Sequence, residues 1–234
     1  MRDRDIDRLI KQAAQETASM DPALPDRIAK SLGPALRPVR PLPPAWFLST
    51  CLFLAGAAVA LLGATRAGLH GIEKMNAFDR VLIFPAVGLL LAIAAASCIA
   101  EMIPGSRRRI APGALLAAAC VALLAVFAIL FHDYRTERFV AQGIVCLTAG
   151  LLHAIPAGLF NWMILRRGFA VSPVSAGLAA GTLASLAGVG MLELHCANFE
   201  APHVMVWHVA VIPVCAAVGA LLGWFRTIPH FRRG

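Results

Sequence analysis

Thiols and imidazoles are the side chains of this sequence with the clearest capacity for chemistry. Six cysteines stand at positions 51, 98, 120, 146, 196 and 215, beside seven histidines. Most of the cysteines lie among Leu and Ala and read as small buried hydrophobes. Cys196 differs, because it falls in the polar stretch Glu193-Leu194-His195-Cys196-Ala197-Asn198-Phe199-Glu200-Ala201-Pro202-His203. Thiolate with imidazole is a ligand set for zinc or copper, and two thiols can instead close a disulfide, so these residue types leave metal sensing and redox sensing open together. A transiently held zinc, copper or other soft metal ion is the one cofactor the composition suggests.

The nitrogen donors collect in the same region. His132 ends the third apolar run, His195 and His203 flank the polar stretch, and His208 lies one turn into the last apolar run. His203 and His208 are five residues apart, about 140° around an ideal helix, and share a ligand face only if the helix begins after His203. Cys146 lies six residues into the fourth apolar run, counted from Val140, so its depth is about 9 Å at 1.5 Å per residue. It can meet Cys196 if the loop folds back over the bundle. No P-loop, GxSxG, HExxH or acidic metal-binding cluster occurs, and the chain reads as a non-enzyme.

The elements that must position these groups are set by hydropathy. With 59% hydrophobic against 15% charged residues, 234 residues carry more apolar surface than one soluble core can bury. Uncharged runs cover 46–65, 81–100, 114–131, 140–165, 174–192 and 204–225, each near the ~20 residues that cross ~30 Å of hydrocarbon. They lack period-two alternation, so helices satisfy their backbone polar groups. The expected fold class is all-α: a polytopic bundle of six transmembrane helices at 46–225, between an arm at 1–45 and a tail at 226–234. Gly177 with Gly181, and Gly219 with Gly223, have the GxxxG spacing that lets helices approach closely, and packing within the chain is the favoured use.

Orientation follows from Lys and Arg, which resist translocation. The arm, Arg107 to Arg109, Arg166, Arg167 and the tail hold 16 of the 21 basic residues, so this side is assigned to the cytoplasm of a bacterial inner membrane. Both termini then lie inside, and the 193–203 stretch lies outside, in an oxidising compartment. This topology explains the net charge of +8 without a nucleic-acid partner. The polar groups of the runs, Glu101, Gln142, His153 and Asn161, are too few and scattered to mark an ion path.

The arm is of different composition, with 14 charged residues and then Pro34, Pro38, Pro41, Pro43 and Pro44 as a stiff tether, and no apolar core of a cleaved signal peptide. Ile6, Leu9, Ile10 and Ala13 recur at i, i+3, i+4 and i+7, and Ile28, Leu32 and Leu36 at i, i+4 and i+8, implying two short amphipathic helices. Neither is stable alone in water below ~12–15 residues, so the bilayer surface, the span ends or a partner must cover the stripes. Eight basic residues are balanced by six acids, which suits a protein partner better than anionic lipid.

An arm of about 45 residues, the Pro38-Val39-Arg40-Pro41-Leu42-Pro43 tether, six spans, and a last outward loop reading Cys196, His203, Trp207-His208 resemble the bacterial membrane anti-sigma factors typified by the negative regulator of sigma-F. The resemblance covers the whole chain. It implies that the arm captures an extracytoplasmic-function sigma factor and releases it under heavy-metal or oxidative stress. It also implies that two cysteines signal, which carries onto Cys146 and Cys196. Ile6, Leu9, Ile10 and Ala13 then make the sigma contact, with Ile28, Leu32 and Leu36 as a second anchor. The arm has no HxxxCxxC motif, so the resemblance does not extend to zinc-binding anti-sigma arms. The alternative is a small metal-ion transporter or channel with an outward Cys/His mouth, and a second is a structural membrane subunit.

Overall fold

A computed structural model describes residues 11–12, 23–32, 42–106 and 110–226. The chain divides into Met1–Pro41 and Leu42–Gly234. In the first unit α1 spans Leu24–Leu32, with Asp26 in its first turn and Lys30 in its last, each of the sign the helix dipole favours. Ile28 lies on α1 and is 47% exposed, and Leu32 closes the helix. Ile6, Leu9, Ile10, Ala13 and Leu36 lie outside the described residues.

In the second unit, six helices are long and apolar enough to cross a membrane. They are α2 (Ala45–Ala67), α4 (Ala77–Met102), α5 (Pro112–Leu130), α6 (Phe139–Leu165), α7 (Pro173–His195) and α8 (Ala201–Phe225), with a short α3 (His70–Lys74) after α2. Among the described residues every regular element is a helix. The starts are encoded locally. Asn76 and Asp79 form a reciprocal capping box on α4, with Oδ1 of Asn76 accepting from Asp79 N at 2.9 Å. Ser172 Oγ accepts from Ser175 N at 3.3 Å, and Pro173 opens α7.

The helix at the centre is the least apolar of the six. Its most apolar stretch is 72% buried, against 22–44% for the others, and it packs on α2, α4, α5, α6 and α8. Outer helices must show lipid an apolar face, and do so with Leu61, Leu89, Val121 and Leu152. A central helix has no such need. Its Gly177, Gly181, Ala184 and Gly188 instead let neighbouring backbones come close. The two GxxxG pairs meet within the chain: a Cβ on Gly177 would run into the Gly219 carbonyl, and one on Gly181 into the Cys215 carbonyl. Asn161 Nδ2 donates to Ala180 O at 3.2 Å across α6 and α7, which satisfies its buried amide.

Candidate functional site

At one end of α7 the chain turns through residues 196–200 into α8, and this turn is tied down on several sides. Asn198 Nδ2 donates to Gln142 Oε1 of α6 at 2.7 Å, and Asn198 Oδ1 accepts from Glu200 N at 2.9 Å. Phe199 stacks on Phe131 at 5.2 Å, and Ala201 N donates to Asp133 O at 2.7 Å. These contacts fold the loop over α6. Cys196 is therefore buried at 7% exposure, although its polar neighbours read in sequence as an accessible segment.

Beneath this loop Cys146 Sγ of α6 and Cys196 Sγ lie 3.6 Å apart. His203 Nε2 is 3.6 Å from Cys196 Sγ, and ligand atoms of Cys146, Cys196, His203 and His208 all lie within 4.8 Å of one another. Hydrogen bonding to the Cys146 sulfur, with burial, raises the Cys196 thiol above its ordinary range, while His203 and His208 pull it down. A tetrahedral zinc with bonds of about 2.3 Å to sulfur and 2.0 Å to nitrogen has S···S and S···N edges of about 3.8 and 3.5 Å. The donors match a four-coordinate metal in kind and number, the Cys146–Cys196 and Cys196–His203 distances match its edges, and the whole set lies close enough to hold one. The two sulfurs are also near enough for a disulfide after an approach of about 1.5 Å to the ~2.05 Å bond length.

His203 and His208 share this site because the helix between them is not an α-helix. Val204–His208 forms a π-turn, whose i→i+5 hydrogen bonding takes up one more residue per turn and brings positions five apart onto one face. Their rings lie 5.4 Å apart, centroid to centroid. The 140° separation expected for an ideal helix is thus corrected, although the helix begins at Ala201, before His203. The other candidate histidines are elsewhere. His195 Nδ1 pairs with Gly68 O at 2.9 Å and its ring lies 5.9 Å from that of His70, while His132 is exposed in the connection after α5.

Of two further residues beside the cluster, the sequence gives Glu193 no role and brings in Trp207 only through the family resemblance. Glu193, expected in the loop, lies in the last turn of α7 with no exposure, and its Oε1 is 2.6 Å from His208 Nδ1. A carboxylate closing an apolar run three residues before a cysteine was the available signal. Trp207 packs its indole edge against Gly143 of α6, where a Cβ would collide with the ring, and rests on Phe139 at 5.5 Å. Gly143→Ala is expected to push Trp207 and the π-turn off α6, destabilising the chain by about 1–3 kcal/mol as overpacking does. Thermal unfolding of the purified protein reads this, and an unchanged midpoint would refute it.

The family model described as "Negative regulator of sigma F" matches residues 32–227. No curated protein and no solved structure matches the chain. The match takes in all six spans and the Cys/His cluster beneath the last loop, and on that extent the chain belongs to the family of negative regulators of sigma F.

Proposed function

We propose that this protein is a membrane anti-sigma factor that holds an extracytoplasmic-function sigma factor through its N-terminal arm and releases it when a metal or oxidative signal reaches Cys146 and Cys196. Family membership supports the negative regulation of a sigma factor. The observation that carries the sensing part is the pair of sulfurs at 3.6 Å in a buried cluster with two imidazoles. In this reading the inner membrane holds the bundle, the cluster faces the periplasm, and arm and tail lie in the cytoplasm, an orientation that the bias of basic residues supports. It also favours a regulator over the transporter alternative, which gives the arm no task.

Residues 1–45 act as the partner-binding arm and 46–225 as the membrane sensor. Ile6, Leu9, Ile10 and Ala13 form one sigma contact and Ile28, Leu32 and Leu36 a second. A signal at the cluster changes how the loop is tied to α6. Because α7 packs on all the other spans, such a change alters the bundle from which the arm departs. A two-state account requires that sigma bind one state more tightly than the other. A metal acts by ligating the thiolates. An oxidant such as a peroxide acts by accepting two electrons while the thiols lose two protons and form one S–S bond.

Co-purification from membranes with the sigma factor of the same organism tests the arm. The intact chain is expected to capture it, and a chain lacking residues 1–40 to lose capture. Leu9→Asp is expected to weaken binding tenfold to about a hundredfold, from the ~1.5–3 kcal/mol that burial of one leucine contributes. Full capture without the arm would sink the proposal.

A further inference from the structure

Glu193 carries a cost that packing alone does not explain. Glu193 and His208 are both fully buried, and a neutral pair of the same shape would avoid taking charge out of water. The position of the carboxylate is informative. It lies one helical turn before Cys196, and its Oε1 occupies Nδ1 of His208 at 2.6 Å. That bond leaves Nε2 as the free nitrogen of His208, and this atom is buried without a hydrogen-bond partner, as is Nδ1 of His203. A histidine held by a carboxylate at one ring nitrogen presents the other, as a lone pair of fixed direction, to whatever stands in front of it. Here that is the Cys146, Cys196 and His203 set.

We infer that Glu193 is a positioning residue that turns His208 into the fourth ligand of a closed tetrahedral Cys2His2 site for a divalent cation of the zinc type. The inference rests on reading this cluster as the sensor and narrows its signal. Four protein donors leave no open position, as in sites that hold a metal rather than use it on a substrate. A tetrahedral set of this kind suits zinc and does not suit the tetragonal preference of copper(II) or nickel(II). Two thiolates and the carboxylate together bury three negative charges, and a divalent ion leaves one of them uncompensated where copper(I) leaves two, which favours the divalent ion. The π-turn that brings His208 into reach belongs to the same device, since an α-helical turn would carry that imidazole away from His203.

The test uses the full chain in detergent, fully reduced and titrated with cobalt(II) alone, a spectroscopic substitute for zinc. The wild type is expected to show the thiolate-to-cobalt and d–d bands of tetrahedral cobalt, erased by equimolar zinc. Glu193→Ala is expected to lose about 100-fold in cobalt affinity, with bands shifted by loss of the imidazole, and Glu193→Gln, which keeps an acceptor for the Nδ1 proton, to lose only about tenfold and keep the tetrahedral bands. If the alanine variant does not fold, the glutamine variant decides alone, and wild-type affinity in it overturns the role of Glu193. No tetrahedral bands in the wild type overturns the metal site. Sigma capture by the same preparations without metal separates the two claims. Capture without cobalt bands sinks only this inference, whereas cobalt bands without capture sink the anti-sigma reading and leave the site.

Discussion

Gly177→Ala is expected to cost about 3 kcal/mol of stability, at the upper end of what overpacking does, because the obstacle is backbone rather than a side chain that can turn away. A Cβ there meets the Gly219 carbonyl, and one on Gly219 meets the Gly177 carbonyl, so the two helices cannot accommodate it without separating. The same crossing continues through Gly181 on Cys215 and Gly223 on Pro173, which spreads the penalty along the helix pair. Gly88 of α4 provides the control. It has open space where a Cβ would go, and Gly88→Ala is expected to be neutral or to stabilise by up to ~1 kcal/mol through helix propensity. Unfolding in mixed detergent micelles, followed by circular dichroism, measures both. Equal stability of the two variants would refute the account of the α7–α8 crossing.

Replacing Cys146 and Cys196 together with serine is expected to leave sigma capture intact and abolish its release. Serine is close to cysteine in size, so the bundle keeps its packing. A neutral hydroxyl is a poor ligand for a soft or borderline ion, however, and cannot form a disulfide. Tetrahedral zinc sites are worth about 10–16 kcal/mol in total, so losing two of four ligands is expected to weaken binding about a thousandfold or more. In cells, a reporter driven by the sigma factor is expected to stay off when metal or peroxide is added to the double variant and to switch on in the wild type. Normal induction in the double variant would remove these thiols from signalling, whatever their distance in the fold.

The bundle was legible in the sequence because lipid imposes a one-dimensional rule: each span must be apolar over about 20 residues and must close its own hydrogen bonds. The six helices follow the apolar runs, extending past them by a few residues where local caps such as Asn76 and Ser172 continue the winding. The family, too, was recognisable from the arm, the spans and the order of Cys196, His203 and Trp207-His208, and residues 32–227 match its model. Glu193 was less legible. Hydropathy stops the fifth run at Leu192, yet α7 continues to His195, because His208 supplies the partner that lets a carboxylate be buried.

By itself, then, the sequence determined the number and composition of the membrane helices and the inventory of groups able to do chemistry. It did not determine which of those groups meet. Cys146 and Cys196 are 50 positions apart and approach to 3.6 Å only because Asn198, Phe199 and Ala201 fold the last loop over α6 and α5. His203 and His208 share a face only because five residues wind as a π-turn, and hydropathy carries no signal for one extra residue in a turn. Periodicity reports which side of a helix is apolar. The tertiary structure decided which nitrogen faces which sulfur, because that depends on how whole helices are staggered and where one of them departs from ideal winding.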